Sequence, residues 1–175
     1  MRNKNNETNK ILSGVEIIKS VLVAVIISII VLCFFRFSIV NGQSMEPSLY
    51  NNEKLLLSTT AYTFSNPERA DIIVAKPDNI NVDYIIKRVI GIPGDTIEIK
   101  DNVIYVNDIA IEEDYVKEKM ITANIPKFTL ANDEYFICGD NRNNSLDSRS
   151  EILGPITKDE IFGKIIINFS KMTIY

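Results

Sequence analysis

The stretch Asp83–Ile90, DYIIKRVI, predicts a long and largely buried β-strand. Apolar residues stand on both faces of this strand, as in a strand inside a sheet. The strand ends at Gly91-Ile92-Pro93-Gly94, and glycine and proline are typical of turns. Its centre carries two cations, Lys87 and Arg88, which are uncommon in a buried strand.

Short segments of similar character lie on both sides of this strand and predict further strands. A hairpin turn is predicted at Asp101-Asn102 and a short helix near Lys158-Asp159-Glu160. The sequence therefore predicts a mainly β fold, in which an N-terminal transmembrane helix precedes an antiparallel β-sheet domain with a small cap. The further strands are predicted at Phe37–Val40, Lys54–Ser58, Asp71–Ala75, Thr96–Lys100, Val103–Asn107, Tyr135–Cys138 and Ile161–Phe169.

The cap is predicted from a charged region near the middle of the chain. Residues 108–127 include Glu112-Glu113-Asp114 and Lys117-Glu118-Lys119. We expect them to be exposed and loop-like, and we place the hairpin and small cap at about residues 96–134.

The N-terminal part contains an apolar run, Ser20–Phe35, without a charged residue. We predict a transmembrane helix over residues 17–37, since a bilayer core needs about 20 residues. The basic excess in residues 1–16 favours a cytoplasmic N-terminal tail and an extracytoplasmic domain over residues 38–175. A cleaved signal peptide fits less well, because the run is long and no small-residue cleavage site follows it. A buried helix of a soluble protein is the other alternative.

The chain contains no histidine. This excludes a Ser-His-Asp triad, a Cys-His dyad and any metal site with a histidine ligand. Two cysteines are too few for a cysteine-rich zinc site, so we expect no metal and no cofactor. The net charge of −4 argues against a nucleic-acid binder.

A serine follows the apolar run by only a few residues, in the stretch Asn41–Leu49, NGQSMEPSL. About eight residues separate this serine, Ser44, from the end of the run. If Ser44 is a nucleophile, its base must be another residue type, and a buried lysine can supply one because desolvation lowers its pKa. Lys87 has the most apolar sequence context, and Lys164 is a weaker candidate. Strand alternation alone leaves open whether the Lys87 face or the Arg88 face is buried.

A third polar stretch, Gly139–Arg149, follows the predicted strand Tyr135–Cys138. Its composition allows a solvated loop. Its alternating acids and arginines also allow a charge-assisted network around an active site.

Three stretches together resemble the type I signal peptidases, or leader peptidases. Gly42-x-Ser44-Met45-x-Pro47 is similar to the serine box of that family, and Lys87–Asp95 is similar to its lysine box. Gly139–Arg149, with Gly154-Pro155, resembles its C-terminal box. The boxes occur in the family's order, behind an N-terminal anchor.

The resemblance implies a role for each matching residue. Ser44 would be the nucleophile and Lys87 the general base. Met45 would pack near the substrate pocket, and Ser145 would hydrogen-bond the lysine amine. Asp147 and Arg149 would form an ion pair that supports the loop, and Asp140 and Arg142 would be structural. Gly42 departs from those members that carry a serine at that position to assist the oxyanion, which leaves the Ser44 backbone N–H as the expected donor.

The implied function is that of a membrane-bound serine endopeptidase. It would cleave N-terminal signal peptides from secreted preproteins after small residues at −3 and −1. The substrate would pair with Ser38–Asn41, including Ile39, Val40 and Asn41, and with Asp83–Lys87, including Tyr84 and Ile85. The expected partners are secretory preproteins and the lipid bilayer.

Two other functions remain possible at this point. One is a self-cleaving Ser/Lys protease of the repressor type, which needs a DNA-binding domain where residues 1–37 offer an anchor. The other is a membrane-tethered binding module in which the serine and lysine have no catalytic role.

Overall fold

The computed structural model describes residues 2–175, with side chains described from Gly14 onward. The chain forms two compact units, residues 1–36 and residues 37–175. Helix α1 spans Arg2–Phe34 in the first unit. Its segment Gly14–Phe34, 21 residues with a mean hydropathy of 2.9, is long and apolar enough to cross a membrane.

The predicted helix end at residue 37 differs from the structure. Helix α1 ends at Phe34, and Phe35–Ile39 form strand β1 of the large sheet. The apolar character of Phe37 favoured a longer helix. In the structure Phe37 stacks on Phe169 with ring centroids 5.8 Å apart, so a tertiary contact accompanies the extended conformation.

The second unit is mainly β, as predicted. Its large sheet has the strand order β1-β2-β11-β3-β4-β9-β10, and β12 pairs with β11. Within this sheet β4 pairs antiparallel with both of its neighbours, β3 and β9. The strands are β2 (Lys54–Ser58), β3 (Ile72–Ala75), β4 (Ile85–Gly91), β9 (Glu134–Cys138), β10 (Ile156–Thr157), β11 (Ile161–Asn168) and β12 (Thr173–Ile174).

The cap is more regular than expected. It is a four-stranded sheet with the order β7-β6-β5-β8, in which β8 occupies part of the region predicted to be loop-like. Phe128 of β8 lies opposite Ile97, and Ile125 lies opposite Ile99, so apolar pairing outweighs the high charge of the surrounding sequence. The strands are β5 (Thr96–Lys100), β6 (Val103–Val106), β7 (Ile109–Ala110) and β8 (Ile125–Thr129).

Two local predictions are confirmed. Asp101 and Asn102 both have positive φ, 52° and 64°, as a tight two-residue hairpin turn between β5 and β6 requires. Lys158–Glu160 form a 3₁₀ helix that leads into β11.

Strand β4 is the element that positions the site. It lies between β3 and β9, and its residues from Lys87 to Gly91 are all buried. One apolar cluster packs Met45 and Leu49 with Leu55, Ile72 and Val74. Another packs Ile90 and Phe136 with the cap residues Ile97 and Ile99. The segment that carries Ser44 and the cap are thus each joined to the large sheet by apolar packing.

Candidate active site

Ser44 begins a tight turn, Ser44–Ser48, that follows β1. The turn is closed by a hydrogen bond from Leu49 N–H to the Met45 carbonyl, 2.8 Å. Gly42 has φ of 110°, a conformation that favours glycine, and its N–H donates to Asn51 Oδ1 at 2.9 Å. The Ser44 carbonyl accepts a hydrogen bond from Asn141 N–H at 3.0 Å. Ser44 is therefore fixed by backbone contacts on both sides.

Lys87 lies beside Ser44 although 43 positions separate them in the sequence. Its Nζ is 2.8 Å from Ser44 Oγ and donates a second hydrogen bond to the Ile86 carbonyl at 3.0 Å. Only 4% of the Lys87 residue surface is exposed. The lysine and the serine are thus within direct proton-transfer distance in a nearly dry environment.

The electrostatic environment of Lys87 favours the neutral amine. Burial is the largest effect and lowers the pKa of Lys87 from its ordinary value of 10.5 to about 8. The negative charges of Asp147 and Asp140 oppose this shift, and the positive charge of Arg149 adds to it. About a tenth of the amine is therefore unprotonated at pH 7, against less than about 0.1% for a lysine with its ordinary pKa.

Arg88 occupies the other face of β4, and it is buried as well. Both faces of β4 are therefore buried at this point, a question that strand alternation alone left open. Arg88 donates two hydrogen bonds to the Asp140 carboxylate, at 2.9 and 2.7 Å, and its guanidinium lies 4.1 Å from the centroid of the Tyr115 ring. This bidentate pairing makes Arg88 a structural link between β4 and the loop after β9.

Asp147 organises that loop, residues 139–149. Its carboxylate accepts a hydrogen bond from Gly139 N–H at 2.9 Å and two from the Arg149 guanidinium at 2.8 Å. Arg149 also donates to the Arg142 carbonyl at 2.7 Å. The structure thus contains the Asp147–Arg149 ion pair and excludes the solvated-loop interpretation.

Ser145 does not make the contact that the resemblance implied. Its buried Oγ has no hydrogen-bond partner, and Lys87 Nζ is directed to Ser44 and Ile86 instead. The hydroxyl lies against Gly139, where an added Cβ would collide with both Ser145 Oγ and the Ser44 carbonyl. Ser145 is therefore close to the site but bonded to no part of it, and its expected role in orienting the lysine is not seen.

A cleft of about 290 Å³ opens in front of Ser44 and Lys87. One side is formed by β1 and the residues that follow it, and the other by the start of β4. Met45 forms part of the lining and is itself 2% exposed. Every residue predicted to contact the substrate lines this cleft: Ile39, Val40, Asn41, Tyr84 and Ile85.

The sequence did not indicate that one segment of the cap contacts all three stretches of the site: the serine box, the lysine box and the C-terminal box. Glu113 forms an ion pair with Arg142, whose side chain is completely buried. Tyr115 covers Arg88, and Lys117 pairs with Glu46 at 2.6 Å. We call Glu113–Lys117 the cap strap. The only signal in the sequence was the charge of residues 112–119, which is equally typical of a solvated loop.

Lys164, the second lysine candidate, is engaged elsewhere. Lys164 lies on β11, and its Nζ forms an ion pair with the Asp71 carboxylate at 2.5 Å. Lys164 is therefore not the amine that faces Ser44.

Comparison with known proteins gives consistent similarities. A family model described as signal peptidase, peptidase S26, matches residues 14–170. Signal peptidase I P of Bacillus subtilis subsp. natto is 36% identical over 169 residues, which cover 91% of this chain and 90% of that protein. Signal peptidase I of Bacillus amyloliquefaciens is 32% identical over 173 residues, covering 93% of this chain and 91% of that one.

Among solved structures, a signal peptidase I from Enterococcus faecalis V583 is 30% identical. It superposes with a TM-score of 0.49 and covers 57% of this chain and 97% of that one.

Proposed function

This chain belongs to the signal peptidase family, peptidase S26, and we propose that it cleaves signal peptides with Ser44 as nucleophile and Lys87 as general base. Membership in the family makes the chain a serine peptidase that acts on signal peptides. The proposal goes further in three respects: it assigns the two catalytic residues, states the substrate rule and gives the orientation in the membrane.

The observation that carries the proposal is the 2.8 Å distance between Lys87 Nζ and Ser44 Oγ in a buried setting. Neutral Lys87 takes the proton from Ser44 as Oγ bonds to the scissile carbonyl carbon. The resulting ammonium gives its proton to the leaving amine as the C–N bond breaks. A water molecule then attacks the acyl carbon and passes a proton to Lys87. Lys87 returns that proton to Ser44 Oγ as the bond between Oγ and the acyl carbon breaks, which releases the new carboxyl terminus and regenerates both residues.

The oxyanion that forms in each step needs a hydrogen-bond donor. We assign this role to the Ser44 backbone N–H, because residue 42 is a glycine and has no hydroxyl to contribute. The positive φ of Gly42 supports the assignment, since it turns the chain sharply just before the nucleophile.

The shape of the cleft supports an extended substrate paired between β1 and the start of β4. In an extended segment alternate side chains point to the same face. The side chains at −1 and −3 would therefore enter the cleft together, whereas the side chain at −2 would point away. A cleft of about 290 Å³, partly lined by Met45, suits small side chains at both positions.

We place the chain in the membrane as a single-pass protein with a cytoplasmic N-terminus and an extracytoplasmic catalytic unit. Gly14–Phe34 is about 31 Å long as a helix, close to the thickness of a bilayer core. The lysines and the arginine of residues 1–16 support the orientation by the positive-inside rule.

The test is cleavage of a preprotein-like peptide by the detergent-solubilised protein. We expect Lys87→Met to lower kcat by about 10²–10⁴-fold, the usual contribution of general-base catalysis. Ser44→Ala removes the nucleophile itself and should lower kcat at least as much. Lys100→Met, at an exposed end of β5, is the matched lysine control and should retain activity.

Retention of full cleavage by both variants would show that the dyad is wrongly assigned. If the wild-type protein cleaves no such peptide but binds it, the chain is a membrane-tethered binding module instead. Alanine-to-leucine changes at −1 or −3 of the peptide test the substrate rule, and they should abolish cleavage.

A further inference from the structure

The hairpin formed by β11 and β12 reaches the turn that carries Ser44. Two of its side chains, Lys171 and Tyr175, hydrogen-bond backbone carbonyls at the far end of the Ser44–Ser48 turn. Neither residue lines the substrate cleft. The contact is therefore separate from both the dyad and the substrate-binding strands.

The Lys171 ammonium has several acceptors around it. Its Nζ donates to the Pro47 carbonyl at 3.0 Å and to the Ser48 carbonyl at 2.7 Å. The same Nζ lies 4.5 Å from the centroid of the Tyr50 ring and 3.6 Å from a Glu53 carboxylate oxygen. Carbonyls at the end of a helical turn have no partner within the turn, and a cation at that position satisfies them.

Ser48 receives hydrogen bonds from two different parts of the molecule. Its carbonyl accepts a second hydrogen bond from Tyr175 Oη, at 3.1 Å. Its own hydroxyl accepts one from Arg88 of β4, at 3.2 Å. Lys87 is the neighbour of Arg88, so the residue that ends the serine turn is joined both to the hairpin and to the strand that carries the base.

The hairpin that provides Lys171 is itself fixed. Asn168 Oδ1 accepts from the backbone N–H groups of Ser170 and Lys171, at 2.9 and 3.2 Å, and Asn168 Nδ2 donates to Glu53 at 2.6 Å. Asn168 is completely buried. The ammonium is thus presented from a rigid turn and not from a free loop.

We propose that Lys171 and Tyr175 are positioning residues that set the place of Ser44 relative to Lys87. This inference rests on the proposed function, because the distance between Ser44 and Lys87 matters only if the two residues form the catalytic dyad. A displacement of about 1 Å in such a pair lowers the rate by about a hundredfold. Loss of the hydrogen bonds from Lys171 or from Tyr175 should displace the turn by less than about 1 Å, because hydrogen bonds from Asn141 and to Asn51 still hold its start.

The kinetic test separates positioning from binding. In the full-length protein we expect Lys171→Met to lower kcat about tenfold with KM changed less than twofold, and Tyr175→Phe to lower kcat about threefold. Lys171→Arg keeps a cation with hydrogen-bond donors and should recover most of the rate. Lys54→Met, an exposed lysine at the start of neighbouring β2, is the matched control and should leave kcat unchanged.

A second readout does not depend on cleavage. In Ser44→Cys the thiol would lie beside the Lys87 amine, and a neighbouring cation lowers the pKa of a thiol below its ordinary value of about 8.5. Alkylation of residue 44 by iodoacetamide, followed against pH by mass spectrometry, gives that pKa. Adding Lys171→Met should shift the midpoint upward, toward the ordinary value, whereas adding Lys171→Arg or Lys54→Met should not.

The outcomes are distinct from those of the proposed function. If the wild-type protein cleaves nothing, the catalytic proposal fails, and the alkylation midpoint still tests the positioning. Unchanged kcat and an unchanged midpoint in Lys171→Met would overturn the inference. A fall in kcat that Lys171→Arg does not recover, with an unshifted midpoint and a lowered Tm, would assign Lys171 to the stability of the fold alone.

Discussion

Lys87 is the residue whose chemistry depends most on its surroundings. In a random chain its amine is almost fully protonated at neutral pH. Burial on β4 lowers its pKa to about 8 and places it against Ser44. The role proposed for Lys87 thus depends on the strand that carries it.

The pH dependence of cleavage follows from this shift. Since the proposed base is the neutral amine, kcat/KM should rise with pH, tenfold per unit at low pH, and level off above about 8. The free energy of unfolding should also rise with pH, between about 8 and 10.5. In that range Lys87 has lost its proton in the folded protein, whereas the unfolded chain still binds it. Initial rates from pH 5 to 10 in constant ionic strength measure the profile. A midpoint near 10 would show that the amine is not desolvated during catalysis.

At this scale the sequence identified the residue types better than their contacts. The absence of histidine and the apolar neighbours of Lys87 were enough to suggest this lysine as a candidate base. The Ser44–Lys87 contact could not be derived from spacing, because it depends on how the serine turn packs against β4. The unpartnered Ser145 hydroxyl could not be foreseen for the same reason, since its position depends on its packing against Gly139.

The cap strap, Glu113–Lys117, is the element that the sequence described least well. Its charges suggested solvent exposure, yet Glu113 neutralises a buried arginine in the loop after β9. Charged residues in a loop give the same sequence pattern whether they meet water or a buried partner. The strands were predicted more accurately, because their apolar runs and turn residues are local signals.

Glu113→Gln should therefore lower the free energy of unfolding more than substitutions in surface segments usually do. It leaves the Arg142 guanidinium buried without a counter-charge, and breaking such a pair typically lowers the free energy of unfolding by about 3–5 kcal/mol. Urea unfolding of the solubilised protein measures the effect. Glu112→Gln, at the exposed adjacent position, is the control and should change stability by less than about 0.5 kcal/mol. Equal effects of the two changes would contradict the structural role of the strap.

At the scale of the whole molecule, the apolar clusters around the site belong to residues 37–175. The apolar side chains of the membrane-length segment are exposed within their own unit. The catalytic unit thus has the internal packing that independent folding requires.

We expect a fragment starting at Phe35, which keeps β1 intact, to fold and to cleave a soluble peptide at a rate within about threefold of the full chain. Its rate on preproteins embedded in vesicles should fall much further, because the anchor raises the local concentration of enzyme at the bilayer. Circular dichroism and the two cleavage assays measure these expectations. A fragment that does not unfold cooperatively would show that helix α1 contributes to the fold itself.

If Lys87, with a pKa of about 8, is the base of this histidine-free site, the cell that carries the protein is affected by it. If the catalytic unit faces the exterior, its base equilibrates with the surrounding medium and not with the buffered cytoplasm. Acidification from pH 8 to 7 removes roughly four-fifths of the neutral amine, and each further unit removes roughly nine-tenths of what remains. Protein export would then slow as the environment becomes acidic, with no regulatory protein involved.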